Sequence, residues 1–178
     1  IWPLFHYFLE YSEFELESWE IYKAVNQKFA DAILEKTDNE DTIWIHDYQL
    51  MLVPQMVRAE RPDISIGFFL HIPFPSYEIF RTLPWRKEVL LGLLGSDLIG
   101  FHTYDYERHF LSSVRRLLGL EVSFNDIYLD ERVIKVDSFP MGIDYKKFSE
   151  AAKEHSQRSE EQKSELQKRL DTHKKSAP

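Results

Sequence analysis

Four polar residues stand where apolar runs stop: His46 and Asp47 after Ile43-Trp44-Ile45, His71 after the run 64–70, and His102 after 97–101. Each is open to more than one kind of chemistry. An aspartate directly after a strand most often caps the helix that follows. A strand-end histidine is as readily a structural residue as a working one, and His46 is expected to pack and hydrogen-bond inside the sheet edge. Histidines with an aspartate could also hold a divalent metal for hydrolysis. The spacing argues against that: there is no His-x-x-x-His pair on a helical stretch and no carboxylate-rich cluster around Asp47. A His-Asp phosphohydrolase would also carry its pair on a helix, not behind Ile-Trp-Ile. The expectation is no metal site.

The elements that must position these residues are read from periodicity. The runs 43–45 and 64–70 have strand character, and between them Leu50, Val53 and Val57 recur at helical spacing until Pro62. That is a βαβ unit. In open α/β sheets ligands bind beyond the carboxyl ends of the strands, and both polar clusters fall there. The nearly continuous apolar run 64–70 suggests a strand buried on both faces, with Gly67 allowing a helix close to it. Pro73 and Pro75 stiffen the turn after His71, and Ser76 is a suitable N-cap.

Upstream, Leu16, Trp19, Tyr22, Val25, Phe29 and Ile33 mark an amphipathic scaffold helix over 16–36. Before it, the aromatic-rich residues 1–14 are expected to cover an edge of the core. Downstream come a helix over 85–94 with Leu90, Leu91 and Leu94 inward and Gly95 as its stop, a strand at 97–101, and a helix over 104–118 ended by Gly119. Weaker strands at 121–124 and 132–136 flank a polar turn, 125–131. This alternation predicts a parallel, right-handed wound sheet, with the turns after His46, His71, His102 and Phe139 along one edge.

At 178 residues, 43% hydrophobic and 15% aromatic, the chain can build an ordinary core. A net charge of -8 argues against a nucleic-acid partner. With no cysteine there is no disulfide scaffold or thiolate metal site. No apolar run approaches the length of a membrane span. There is no leader and no initial Met, so the chain is expected to be an internal piece of a longer cytoplasmic protein. From about Ser149 the composition turns polar, with Leu166 and Leu170 the only large apolar residues. The expected domains are 1–150, an α/β domain lacking its start, and 151–178, a polar helix and linker toward a second domain.

The wording IWIHDYQLMLVPQMVR, then IGFFLHIPFPSYEIFRTLP, resembles the trehalose-6-phosphate synthases, retaining glycosyltransferases of two-domain GT-B architecture. The resemblance extends from IWPLFHY at the start through LLGSDLIGFHTYDYERHFL to FPMGID. It implies a Rossmann-like doubly wound parallel sheet, the incomplete N-terminal half of a GT-B fold. The implied reaction is glucosyl transfer from UDP-glucose to glucose 6-phosphate, giving trehalose 6-phosphate and UDP, with no cofactor and no metal.

By the same resemblance, Trp2 belongs to the acceptor site, Asp47 binds acceptor hydroxyls, and His71 faces the donor sugar, with Asp47 and His71 the catalytic pair. The chemistry suits these roles. A carboxylate accepts two hydroxyl hydrogen bonds and orients an attacking oxygen, and an indole offers a flat apolar face and one N–H. No glycine-rich phosphate loop is present among the six glycines, and Arg81, Arg86, Arg115 and Arg116 are expected to be solvated. The isolated chain is therefore expected to be inactive, its partners being the small-molecule substrates, the remainder of its own chain and, in a homo-oligomer, further copies. A non-catalytic regulatory or binding module on the same fold is the alternative.

Overall fold

The computed structural model describes residues 1–156, 164 and 165. The chain divides into two compact units, Ile1–Pro140 and Met141–Pro178.

The first unit begins with a one-turn helix α1 (Trp2–Phe5) and the long α2 (Leu16–Lys36). Then follow β1 (Thr42–His46), α3 (Val53–Glu60), β2 (Ser65–Phe69), α4 (Tyr77–Phe80), α5 (Arg86–Leu93) and β3 (Leu98–Phe101). The unit ends with α6 (Tyr104–Leu118), β4 (Glu121–Ser123), β5 (Asp126–Leu129) and β6 (Arg132–Ser138). The sheet order is β1-β2-β3-β6-β5-β4. The first four strands in that order run parallel, and β5 and β4 add an antiparallel flap. The expected polar turn at 125–131 therefore contains a strand. Its signal is short, Ile127 buried and Tyr128 exposed, and it lies between two tight turns at Phe124 (φ 51) and Asp130 (φ 52).

One face of the sheet is the core. Ile43, Ile45, Ile66, Phe68, Ile99, Phe101, Ile134 and Val136 are all buried, in one cluster with Val57, Leu90, Phe110 and Val114 of the helices. Burying these side chains is the main stabilising term of the fold, at about 1.5–3 kcal/mol each. The alternate residues point the other way: Trp44 is 64% exposed, and Ser65 and Lys135 are exposed. So the second face of β2 is covered only at Phe69, 7% exposed, and not along the whole strand as its apolar run suggested. A Cβ at Gly67 would find only the Ile43 carbonyl, at 4.0 Å, so no helix approaches there. The close approach is at Gly95, where a Cβ would lie 2.2 Å from the Gln55 nitrogen. There the chain leaving α5 crosses the first turn of α3.

Two further expectations change. On α5, Leu90, Leu93 and Leu94 are buried and Leu91 is 44% exposed, because three- and four-residue steps from Leu90 leave Leu91 off the stripe. In the first segment Leu4 and Phe5 are buried, whereas Trp2, Tyr7, Phe8, Tyr11 and Phe14 remain exposed.

Behind the amino ends of the strands, Arg58 is 8% exposed. It donates to the carbonyls of Gly95 (3.0 Å), Pro62 and Ile64 (2.6 Å each) and to Asp97 Oδ2 (2.7 Å). Arg132 reaches the same region through the Ser96 carbonyl at 2.7 Å. This knot fixes where β2 and β3 begin, and so where they end.

In the second unit α7 (Tyr145–Ser156) has no buried residue. The polar helix expected after Ser149 thus begins at Tyr145, while Leu166 and Leu170 lie outside the described residues. Among the described residues no helix is long and apolar enough to cross a membrane.

Candidate functional site

The parallel pairing of β1 and β2 sets His46 opposite Phe69, so both strands release their polar residues at one edge. Asp47 N–H donates to the Phe69 carbonyl at 2.8 Å. The chain then bends sharply, with Asp47 at φ 71, ψ 170. Its Oδ1 accepts from Tyr48 N–H at 2.9 Å and from His71 N–H at 3.3 Å. Capping is therefore realised, on the 3-10 turn Tyr48–Leu50. The same oxygen also ties the exit of β1 to the exit of β2. Among the described residues Oδ2 has no hydrogen-bond partner.

His71 is exposed and sits among rings: Phe69 at 4.8 Å, His46 at 5.2 Å and His102 at 5.5 Å between centroids. Its Nε2 lies 2.9 Å from His46 Nδ1. Partial burial pushes the imidazole pKa below the usual histidine range. The Asp47 carboxylate pulls it back up, and His46 and His102 add to the downward push. The net push favours the neutral imidazole. His46, expected inside the sheet edge, is exposed and bonded to His71. The strand alternation carried that signal, since Ile43 and Ile45 point inward and Trp44 and His46 must point out.

Trp2 stands apart. It is 44% exposed and stacks on His6 at 4.2 Å, with no hydrogen bond or ring contact to Asp47 or His71 among the described residues. It lines an aromatic groove of about 520 Å³ with Phe14, Trp19, Tyr22, Tyr48 and Trp85. Tyr48 links the two regions, being the neighbour of Asp47. So the structure brings Asp47 and His71 together and leaves Trp2 on an adjoining wall.

Helix α2, read as scaffold alone, in fact holds the site's first turn. Tyr22 OH donates to the Tyr48 carbonyl (2.7 Å) and accepts from Met51 N–H (3.2 Å). Burial raises the Tyr22 pKa, which keeps that proton in place. Asn26, fully buried, donates to the Gln49 carbonyl (2.9 Å) and accepts from Leu52 N–H (3.0 Å). The sequence signal was an Asn four residues after Tyr22 and seven before Ile33, in line with the apolar stripe, since a polar group on a buried face is costly without partners.

Among the described residues no group of three or more His, Cys, Asp or Glu is placed to hold a metal ion. The uncovered sheet face carries an apolar hollow of about 240 Å³ lined by Trp44, Gly67, Phe69, Leu98, Gly100 and Phe139.

Comparisons with known proteins bear on the family and the fold. An alpha,alpha-trehalose-phosphate synthase [UDP-forming] of Emericella nidulans is 50% identical over 176 residues, 97% of this chain and 33% of the relative. The solved N-terminal domain of a Candida albicans trehalose-6-phosphate phosphatase superposes with a TM-score of 0.77 at 42% identity, over 85% of this chain and 33% of that one. An E. coli structure described as trehalose-6-phosphate bound with UDP-2-fluoro glucose gives a TM-score of 0.76 at 35% identity, over 85% and 34%. The chain thus spans about a third of the length of the Emericella relative. Its α/β sheet is Rossmann-like, part of the N-terminal half of a GT-B fold. The model of glycosyltransferase family 20 matches residues 1–176, and to that family the chain belongs.

Proposed function

We propose that the chain supplies the acceptor-side part of a longer cytoplasmic enzyme that transfers glucose from UDP-glucose to glucose 6-phosphate, giving trehalose 6-phosphate and UDP. The observation that carries this reading is the joining of Asp47 and His71 at the carboxyl edge of adjacent parallel strands, through the 3.3 Å bond from His71 N–H to Asp47 Oδ1. Asp47 Oδ2 accepts a hydrogen bond from the acceptor hydroxyl and orients its oxygen toward the anomeric carbon. Neutral His71 hydrogen-bonds a hydroxyl of the donor glucose. Trp2 and the groove beside Tyr48 offer flat apolar faces to the acceptor ring. As the new C–O bond forms, the bond from the anomeric carbon to the UDP phosphate oxygen breaks, and the hydroxyl proton leaves with UDP. No cofactor or metal takes part in the reaction as proposed.

The test is a chimera in which residues 1–176 replace the matching segment of the Emericella synthase. UDP release that depends on glucose 6-phosphate is the expected result. A folded chimera that binds both substrates and releases no UDP would overturn the reading. A second reading, a non-catalytic module on the same fold, is favoured by the Candida neighbour, described as part of a phosphatase. Binding without turnover in the chimera is its signature.

A further inference from the structure

His46 and His71 meet through identified nitrogens, Nδ1 to Nε2 at 2.9 Å. The His46 ring is itself held on its strand by stacking with Trp44, 5.7 Å between centroids and 8° between planes. Two neutral imidazole nitrogens at that distance share one proton, one donating and the other accepting. The Nε2 of His71 is thereby committed inside the protein. Its Nδ1 has no hydrogen-bond partner among the described residues, and the ring is exposed.

We infer that His46 is a positioning residue for His71, fixing its ring plane so that Nδ1 is the nitrogen presented to a ligand and coupling the two neutral rings, which carry either Nδ1–H on both or Nε2–H on both. The consequence for catalysis rests on the proposed reading of His71 as the donor-sugar contact; the coupling itself does not. The groups facing His71 are His46 from β1, Asp47 from the turn after it and His102 from the end of β3. A second proton on the pair would set N–H against N–H and break the contact, so the two rings carry at most one charge while joined.

The deciding experiment is long-range 1H–15N correlation on the histidine-labelled 178-residue chain, for the wild type, His46→Ala and His46→Asn. An Asn amide occupies the place of Nδ1 and keeps a bond to His71 Nε2. Equal Nδ1–H fractions on His46 and His71 are expected in the wild type, since one N–H serves both rings, and a His71 fraction shifted from that value is expected in His46→Ala. Unequal fractions on the two rings in the wild type overturn the inference. In the chimera, His46→Ala should lower kcat/KM about 3- to 10-fold, with most of the loss restored in His46→Asn. Equal losses in the two variants would count against it. The spectra need no substrate, so failure of glucosyl transfer in the chimera and failure of this inference are told apart.

Discussion

Asp47 sits at φ 71, ψ 170, a backbone region that glycine alone adopts freely. Holding a residue with a Cβ there costs about 1–3 kcal/mol. Replacing Asp47 by Ala keeps that strain and removes the bonds from Tyr48 N–H (2.9 Å) and His71 N–H (3.3 Å). One bond is good and one long, so the loss is about 1–2 kcal/mol. Replacing it by Gly loses the same bonds and relieves the strain, which leaves stability near that of the wild type. Asp47→Gly should then be more stable than Asp47→Ala by about 1–2 kcal/mol, although Gly in ordinary extended or helical backbone is less stable than Ala by about 0.5–1 kcal/mol. Urea unfolding followed by tryptophan fluorescence measures the difference, with equal slopes for the two variants. If the Ala variant equals or exceeds the Gly variant, Asp47 stores no strain, and the idea that an Asp is kept there against the backbone for its carboxylate fails.

Other consequences follow from the packing. Gly95→Ala would drive a Cβ to within 2.2 Å of the Gln55 nitrogen and 2.3 Å of the Pro54 carbonyl carbon, both backbone. It should cost about 3 kcal/mol or leave the chain unfolded, and a midpoint within error of the wild type would show that α3 and α5 can separate freely. Glu107 on α6 is 1% exposed, with Oε1 lacking a partner. Burial raises its pKa, a hydrogen bond with Ser138 opposes that, and the Asp137 charge adds to the rise. A raised folded value means its stabilising contribution is complete below the ordinary carboxylate range and is lost as pH climbs through the folded value. Glu107→Gln should therefore gain about 1 kcal/mol at neutral pH and little near pH 4; denaturant midpoints at the two pH values check this, and a variant that loses stability at neutral pH contradicts it.

Much of this fold is legible in the residues because two periods dominate. The helix of α6 runs over the residues its spacing marked, and Gly119 ends it at φ 71, where a left-handed residue is needed. The strand ends at His46, His71 and His102 follow from apolar runs meeting polar turns. The less legible parts have specific physical reasons. β5 is four residues long and set among turn-forming residues, too short for alternation to be read. The open sheet face could not be seen in 64–70, because an apolar run looks the same whether one face or both are covered. At the site, Asp47 and His71 were marked by position and by the family resemblance. Strand alternation turns His46 outward and Asn26 stands in the apolar stripe of its helix, but which groups they and Tyr22 meet is set by contacts spanning 23 to 29 residues, which no local pattern encodes.

The central claim is that the Asp47 carboxylate works on a substrate as well as on its own turn. Asp47→Asn separates the two roles, since an Asn oxygen still accepts from Tyr48 N–H and His71 N–H, and Asn bears the same backbone strain as Asp. In the chimera, kcat/KM toward glucose 6-phosphate should fall roughly 10- to 150-fold, the loss of one charge-assisted hydrogen bond, with UDP affinity unchanged. A folded Asp47→Asn enzyme with wild-type kinetics would return Asp47 to a capping role and contradict the account.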